Sequence, residues 1–202
     1  MFAAAIAHDL GTPITRLHLR AHEIEDDDTR TRMLSDLNQM RRMITATLDL
    51  IRLDLAEPVE AIDLASLVQS LCDDLTDAGE DVTVVALAMV TIRSKPTALR
   101  RALVNVLENA IKYGARARVQ LTCTADDVLI YIDDDGPGIP DGLMEAAFQP
   151  FRRLTNDPDQ NDGTGVGLSI ARSIVRGVGG EITLTNGTVG LRVTVRLPRT
   201  YL

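Results

Sequence analysis

Aromatic residues are scarce in this sequence, at 3% of 202 residues, and tryptophan is absent. Hydrophobic residues nevertheless reach 45%, so the core must be built from aliphatic side chains. Cysteine is also scarce. Cys72 and Cys123 are far apart, with no second cysteine or histidine at metal-ligand spacing. This spacing is not that of a disulfide scaffold or of a cysteine-ligated zinc site, and it favours a reducing, cytoplasmic compartment with both cysteines as ordinary thiols.

Positively charged residues are fewer than negatively charged ones: the chain has 21 Lys and Arg and 29 Asp and Glu, which gives a net charge of −8. An acidic chain of this kind does not bind nucleic acid without sequence preference. No apolar run approaches the ~20 residues of a membrane span. The first residues lack the basic region of a signal peptide. The length allows one large domain or two small ones.

Apolar residues recur at steps of three and four through the first 55 residues. The first seam is Ile6, Leu10, Ile14, Leu17, Ala21 and Ile24, and the second is Met33, Leu37, Met40, Ile44, Thr47 and Ile51. This spacing predicts helices over 2–24 and 31–55, joined by an acidic turn at 26–28. Asp28 or Thr29 is expected to cap the second helix. A single hairpin cannot bury both seams, so we expect two copies to form a dimeric four-helix bundle; packing on the same chain is the alternative.

The composition changes after Glu57-Pro58, which marks residues 56–63 as a linker. Helices are predicted from Asp63 to about Ala78, from Pro96 to about Lys112 and from Gly165 to about Val178, with a short one near 142–147. Strands are predicted at 81–87, 90–93, 118–124, 128–133, 180–186 and 190–197. The predicted class is α+β, with helices on one face of a largely antiparallel sheet.

One histidine, His8, stands beside the carboxylate of Asp9 on the first predicted helix. Pro13 removes a helical N–H, and Gly11 costs about 1 kcal/mol relative to alanine. The helix is therefore weakened directly after the pair, an inconsistency typical of functional sites. A lone histidine on a helix is more often a surface or packing residue, so its interpretation depends on downstream motifs.

Two polar motifs in the second half of the chain contain groups suited to a nucleotide. Asn105, Asn109 and Lys112 fall on one helical face. Amide oxygens there can ligate Mg²⁺, and the lysine can meet phosphate. Residues 134–138 follow a predicted strand, so the Asp134 carboxylate can accept from an exocyclic amine such as that of adenine. The glycines in this motif let the backbone approach a ligand.

Two further motifs complete the set. Residues 148–153 place two phenylalanines before Arg152 and Arg153, which are candidates for phosphate contact. Residues 163–169 are a glycine-rich entry to a helix, where free N–H groups bind phosphate. This segment is neither a P-loop nor a dinucleotide fingerprint, because no Gly-Lys-Ser/Thr follows and no strand directly precedes it. Each motif alone is a weak signal; all four in this order behind a His-Asp helix are a strong one.

In this order the motifs resemble those of the sensor histidine kinases of bacterial two-component systems, over nearly the whole chain. The matching segments are 7–13 for the H box, 105–109 for the N box, 134–138 for the G1 box, 148–151 for the F box and 163–167 for the G2 box. The likeness is greatest to the osmosensor-type subgroup, whose partners are winged-helix response regulators. Gly11 departs from that subgroup, which usually has a basic residue there.

The resemblance implies a dimerisation and phosphotransfer hairpin (HisKA-like) at 1–55, a linker at 56–63 and a Bergerat-type ATP-binding α/β sandwich at 64–202. It implies ATP-dependent autophosphorylation of His8 and phosphoryl transfer to an aspartate in the receiver domain of a response regulator. The homodimer would be the cytoplasmic part of an inner-membrane sensor, connected to the membrane through an N-terminal region that this chain lacks.

The resemblance also assigns roles to single residues. His8 attacks the γ-phosphorus through Nε2, Asp9 accepts from the other ring nitrogen, and Thr12 orients a water that dephosphorylates the regulator. The implied nucleotide-binding residues are Asn105, Asn109, Lys112, Tyr113, Asp134, Gly136, Gly138, Phe151, Arg152, Gly163, Thr164, Gly165, Gly167 and Leu168. Asn109, assisted by Asn105, would hold Mg²⁺.

Two alternatives use the same nucleotide fold. ATPases of the gyrase, chaperone and mismatch-repair (GHKL) type hydrolyse ATP with a glutamate four residues before the metal-binding asparagine. That position here is Asn105, and Glu108 is expected to point about 100° away from Asn109. The second alternative is a catalytically inactive nucleotide-binding dimerisation module. Its expected sign is a lost central motif residue, and none of the central ones is lost.

Overall fold

In the computed structural model, the residues described are 13, 15–52, 57–152, 154 and 165–199, with side chains described except at 39 and 41–52. The N-terminal part is helical at 15–21 (α1) and at Asp27–Arg52 (α2). α2 begins earlier than predicted, because Asp27 and Asp28 form its first turn, where carboxylates complement the helix dipole. The cap is Asp26, whose Oδ2 accepts from the Thr29 N–H at 2.9 Å, and not Asp28 or Thr29.

The two apolar seams are only partly covered. Ala21 and Leu37 are buried, whereas Leu17, Met33 and Met40 are more than two-fifths exposed. The predicted four-helix bundle is not evident in the single chain over its described residues. No helix in that part of the chain is long and apolar enough to cross a membrane.

The rest of the described chain alternates helices and strands. Its elements are β1 (Glu60–Asp63), α3 (Leu64–Asp77), β2 (Val82–Leu87), β3 (Thr91–Ser94), α4 (Pro96–Gly114), β4 (Ala117–Cys123), β5 (Asp127–Asp134), α5 (Gly167–Gly177), β6 (Glu181–Asn186) and β7 (Leu191–Pro198). Two 3-10 turns, Asp141–Leu143 and Glu145–Phe148, occupy the place of the predicted short helix.

The main sheet has the strand order β2-β4-β5-β7-β6. Its pairs are antiparallel except β2 with β4, so the prediction of a largely antiparallel sheet is confirmed. A separate antiparallel pair joins β1 to β3, with Ile62 opposite Ile92. The segment predicted as a linker at 56–63 thus contains a strand that the sequence did not indicate. A strand of four residues with one buried side chain is too short to show an alternating pattern.

The core lies between one face of the sheet and the helices α3, α4 and α5. β5 alternates buried and partly exposed residues along its length, as a strand covered on one face does. The largest fully buried side chains are all aliphatic, and Leu99, Leu103 and Val106 contribute them from α4. Both cysteines are free, and burial raises the pKa of the Cys72 thiol to about 11.

Caps fix where α3 and α4 begin. Asp63 caps α3 as predicted, accepting from the Ser66 N–H at 3.1 Å. Lys95, the N-cap residue of α4, makes no side-chain cap bond. The carboxylate of Glu57 takes its place, accepting from the N–H groups of Thr97 at 2.6 Å and Ala98 at 3.0 Å. A residue of the predicted linker is thus attached to the helix that carries the first nucleotide motif.

Candidate functional site

A cavity of about 360 Å³ opens between α4, the loop after β5 and the start of α5. Most of the predicted nucleotide-binding residues line it: Asn105, Asn109, Lys112, Tyr113, Asp134, Gly136, Gly138, Arg152, Gly165, Gly167 and Leu168. All four downstream motifs meet in one place through these residues, the third of them, 148–153, through Arg152 alone.

His8, Asp9, Thr12, Gly163 and Thr164 fall outside the described residues.

Phe151 lies outside the cavity wall as the described residues form it, with 44% of its surface exposed. Its φ of 63° is in the left-handed region, and its N–H donates to the Gly165 carbonyl at 3.0 Å. Phe151 therefore ties the third motif to the fourth through its backbone.

The polar face of α4 is ordered by contacts at both of its ends. Asn105 Nδ2 donates to the Arg101 carbonyl at 2.9 Å, one turn earlier, which leaves its amide oxygen facing the start of α5. A Cβ placed on Gly167 would lie only 3.2 Å from that oxygen. Glycine at 167 therefore lets the start of α5 approach Asn105. At the other end, the Lys112 ammonium lies 5.3 Å from the centre of the Tyr113 ring.

Asp134 is the most deeply buried charged group in the wall, with 4% of its surface exposed. Its Oδ1 accepts two backbone hydrogen bonds, from Gly136 at 2.8 Å and from Leu191 at 2.9 Å. Oδ2 makes no hydrogen bond with the part of the chain that the structure describes. Because this oxygen has no hydrogen bond within that part of the chain and belongs to a residue that lines the cavity, it can accept a hydrogen bond from a donor on a ligand.

Three glycines surround Asp134. A Cβ on Gly114 would lie 2.5 Å from the Asp134 Cβ, and one on Gly136 would lie 2.6 Å from the Tyr113 carbonyl oxygen. A Cβ on Gly190, whose φ is +68°, would collide with the Asp134 carbonyl oxygen. The backbone around Asp134 is therefore packed as closely as glycine permits.

The neighbouring carboxylate, Asp135, has a different role. It pairs with Arg118 at 2.6 Å, and the hydrogen bond from that guanidinium lowers the pKa of Asp135. Asp135 is not among the residues that line the cavity. Of the two adjacent aspartates, only Asp134 is placed to contact a ligand.

Sequence reasoning missed part of the wall. The additional lining residues are Glu108, Ala110, Pro137, Ile139, Pro140, Ala147, Leu154, Val166, Leu191 and Val193. Glu108, expected to point away, lies exposed at the cavity. The inward alternation of β7 signals Leu191 and Val193 as buried, but only its pairing with β5 brings them beside Asp134.

The residues present fit a nucleotide with its metal. Asp134 offers a buried acceptor for a base amine, and Lys112 and Arg152 offer positive charge for phosphates. The amide oxygens of Asn105 and Asn109 are hard ligands of the kind that Mg²⁺ prefers. The wall thus combines a base-reading end with a phosphate- and cation-binding end.

Comparison with known proteins supports this assignment. Residues 94–201 match a family described as histidine kinase-, DNA gyrase B-, and HSP90-like ATPase. The sensor histidine kinase GtrS of Pseudomonas aeruginosa is 41% identical over 198 residues, which are 97% of this chain and 41% of GtrS. This chain therefore spans about two-fifths of the length of that relative.

Two solved structures share the fold. Full-length ShkA, crystallised in complex with AMPPNP, has a TM-score of 0.70 at 20% identity, over 99% of this chain and 46% of ShkA. The Acinetobacter baumannii histidine kinase AdeS has a TM-score of 0.68 at 20% identity, over 96% of this chain and 98% of that one.

Proposed function

The chain belongs to the histidine kinase-, DNA gyrase B- and HSP90-like ATPase family, and on that premise we propose that it transfers the γ-phosphoryl group of ATP to His8. The observation that carries this proposal is the cavity in which Asp134, the amide face of α4 and the glycine-rich start of α5 meet. The kinase GtrS, 41% identical, supports transfer to histidine over hydrolysis. AMPPNP, bound by the related fold of ShkA, is an analogue of ATP.

ATP would lie with its base toward Asp134, whose Oδ2 accepts from the adenine amine. Tyr113 would line the base pocket, and Lys112 would meet the phosphates. Gly163, Thr164, Gly165, Gly167 and Leu168 would hold the phosphates at the start of α5, where backbone N–H groups are free. Mg²⁺, when bound, neutralises phosphate charge, and Asn109 with Asn105 would hold it through amide oxygens.

The residues that carry out phosphoryl transfer are on the first predicted helix, which contains His8 and Asp9. His8 Nε2 attacks the γ-phosphorus with its lone pair; an N–P bond forms, the bond to the bridging oxygen breaks, and ADP leaves. Asp9 accepts the hydrogen bond of the Nδ1–H and so fixes the tautomer that keeps the lone pair on Nε2. An aspartate of a response regulator then takes the phosphoryl group, with His8 as leaving group. In a separate reaction, Thr12 orients the water that hydrolyses the phosphoryl group from that regulator.

The domain organisation follows from the same proposal. Residues 1–55 form the phosphotransfer hairpin, and two copies pair through it, which would cover the exposed Leu17, Met33 and Met40. Residues 56–63 form the linker and 64–202 the ATP-binding domain; the linker is attached to that domain, since Glu57 caps α4 and β1 pairs with β3. The homodimer would serve as the cytoplasmic part of an inner-membrane sensor.

Hydrolysis is the second candidate, since the Glu108 carboxylate lines the cavity. In hydrolases of this fold the base stands four residues before the metal-binding asparagine, and that position holds Asn105. An amide cannot remove a proton from water, so transfer to His8 remains the better-supported function.

Incubation with γ-labelled ATP and Mg²⁺ tests the proposal. We expect acid-labile, base-stable label on the chain, lost in His8→Gln and retained in the matched control His22→Gln. Label that survives His8→Gln would refute the assignment. Release of inorganic phosphate without labelled protein would establish the hydrolase, and nucleotide binding without either product would establish the inactive module.

A further inference from the structure

Asn186, the last residue of β6, makes two hydrogen bonds to Ile139, the residue that follows the 134–138 motif. Its Oδ1 accepts from the Ile139 N–H at 3.0 Å, and its Nδ2 donates to the Ile139 carbonyl at 2.8 Å. The two residues are 47 positions apart. Asn186 lies outside all the motifs, and it pairs with the backbone of Ile139 as a neighbouring strand would.

This contact holds a segment of the cavity wall that has no strand partner. Gly138, Ile139 and Pro140 line the cavity but lie in a loop. Backbone polar groups outside regular structure need partners, and Asn186 satisfies both of those on Ile139. At Gly138, where φ is +71°, a Cβ would lie 2.5 Å from Asn186 Oδ1. The loop therefore approaches the amide as closely as glycine allows.

The same β6–β7 hairpin also holds Asp134. The Leu191 N–H donates to Asp134 Oδ1 at 2.9 Å, and Gly190 packs against the Asp134 carbonyl. One hairpin thus fixes both the proposed base acceptor and the loop beyond it. The phosphate- and metal-binding residues on α4 and α5 are held by other contacts, such as that of Asn105 with Arg101.

We propose that Asn186 is a positioning residue for the base end of the nucleotide site. It sets the distance between the 138–140 segment and Asp134, so it controls affinity for the nucleotide with little effect on the transfer step. This inference rests on the proposed nucleotide-binding function.

The side-chain chemistry at 186 is specific. Aspartate would keep the acceptor for the Ile139 N–H but would turn a carboxylate oxygen toward the Ile139 carbonyl. It would also bring that oxygen close to Asp141, whose Oδ1 lies 3.4 Å from Asn186 Nδ2. Only an amide can satisfy both groups of Ile139 without repulsion.

The experiment compares Asn186→Ala with the full wild-type chain. Thr183→Ala, at an exposed position of the same strand, is the matched control. Calorimetry with AMPPNP and Mg²⁺ gives the Kd, and autophosphorylation against ATP concentration gives KM and kcat. Because the two hydrogen bonds to Ile139 at an exposed site are lost, we expect Kd and KM to rise about three- to ten-fold in Asn186→Ala, with kcat within about twofold of wild type.

The outcomes separate this inference from the function beneath it. A Kd in Asn186→Ala equal to that of Thr183→Ala, or a fall in kcat at unchanged KM, would overturn the inference while the kinase assignment stands. Wild-type chain that binds no AMPPNP would overturn both. Should Asn186→Ala fail to fold, as judged by circular dichroism, Asn186→Asp carries the same comparison, with a Kd raised at least as much.

Discussion

Replacing Glu57 with glutamine removes the charge that caps α4. The Glu57 carboxylate accepts from Thr97 at 2.6 Å and from Ala98 at 3.0 Å, across 40 residues of sequence. Lys95, at the N-cap position, makes no side-chain cap bond. A distant residue therefore supplies what the N-cap supplies in most helices, and it does so for the helix that carries Asn105 and Asn109.

The expected loss of stability can be worked out from two contributions of that carboxylate, its hydrogen bonds and its charge. Loss of an N-cap side chain costs about 0.5–2 kcal/mol, and a negative charge at an exposed helix N-terminus contributes about 0.3–1 kcal/mol. Glutamine keeps one acceptor oxygen, and solvent screens this partly exposed site. We therefore expect Glu57→Gln to lower the free energy of unfolding by about 1 kcal/mol, and Glu57→Ala by about 2 kcal/mol at most.

The effect depends on pH in a defined direction. Burial raises the pKa of Glu57, but the hydrogen bonds from Thr97 and Ala98 and the nearby charge of Lys95 lower it more, so the folded-state pKa lies below its ordinary value. A depressed carboxyl pKa stabilises the fold above the unfolded-state pKa, about 4.3 for glutamate, and that stabilisation is lost as the pH falls through the folded-state pKa. The difference in free energy of unfolding between wild type and Glu57→Gln should thus have its largest value at pH 7 and should decrease below about pH 4.

Urea unfolding of the full chain, followed by circular dichroism at a series of pH values, measures this difference. Glu60→Gln is the control, since Glu60 is the same residue type at an exposed position of β1. Amide exchange at Thr97 and Ala98 should accelerate in Glu57→Gln alone. A Glu57→Gln variant as stable as Glu60→Gln at pH 7, or a difference unchanged by acid, would refute the cap.

Three other substitutions test separate parts of the site. Asn109→Ala should abolish Mg²⁺-dependent binding of AMPPNP in calorimetry, and undiminished binding would contradict its role as a metal ligand. Gly190→Ala, at φ +68° and against the Asp134 carbonyl, should cost about 1–3 kcal/mol in urea unfolding. The control Gly142→Ala, where a Cβ meets nothing within 4 Å, should cost less than half of that. Thr12→Ala should leave autophosphorylation intact but slow loss of label from a phosphorylated regulator, and an unchanged rate would exclude the water-orienting role.

The helices of the ATP-binding part were predictable because local signals start them. Asp63 caps α3 and Pro96 opens α4, as the sequence indicates. The face of α4 follows from the 3.6-residue period alone, so Asn105 and Asn109 fall in the cavity wall as predicted. The resemblance to sensor histidine kinases, drawn from these motifs, is confirmed by the family match and by GtrS.

What the sequence did not reveal depends on contacts between distant residues. β1 contains one buried residue, Ile62, and its partner strand is 30 positions away. By local rules Glu57-Pro58 only ends the preceding helix, but in the structure the Glu57 carboxylate caps the start of α4. The β6–β7 hairpin lies beside Asp134 only because β5 pairs with β7. A local pattern has no means of signalling such pairings.

Residues outside the motifs hold the motif-bearing elements in place. Glu57 fixes the start of α4, and Asn186 fixes the 138–140 segment. In the third motif, Phe148 is buried beneath Arg172 of α5, whose guanidinium lies 4.1 Å from the ring centre and pairs with Glu145 at 2.8 Å. Arg172 is only 19% exposed, but Glu145 is 86% exposed, so solvent screens their ion pair and the contact of the guanidinium with the buried ring is the less exposed of the two. Each contact joins elements that are distant in sequence, and none of the three residues lines the cavity. A chain can therefore keep all its motif residues and still lose the site, because their geometry depends on side chains that touch no ligand.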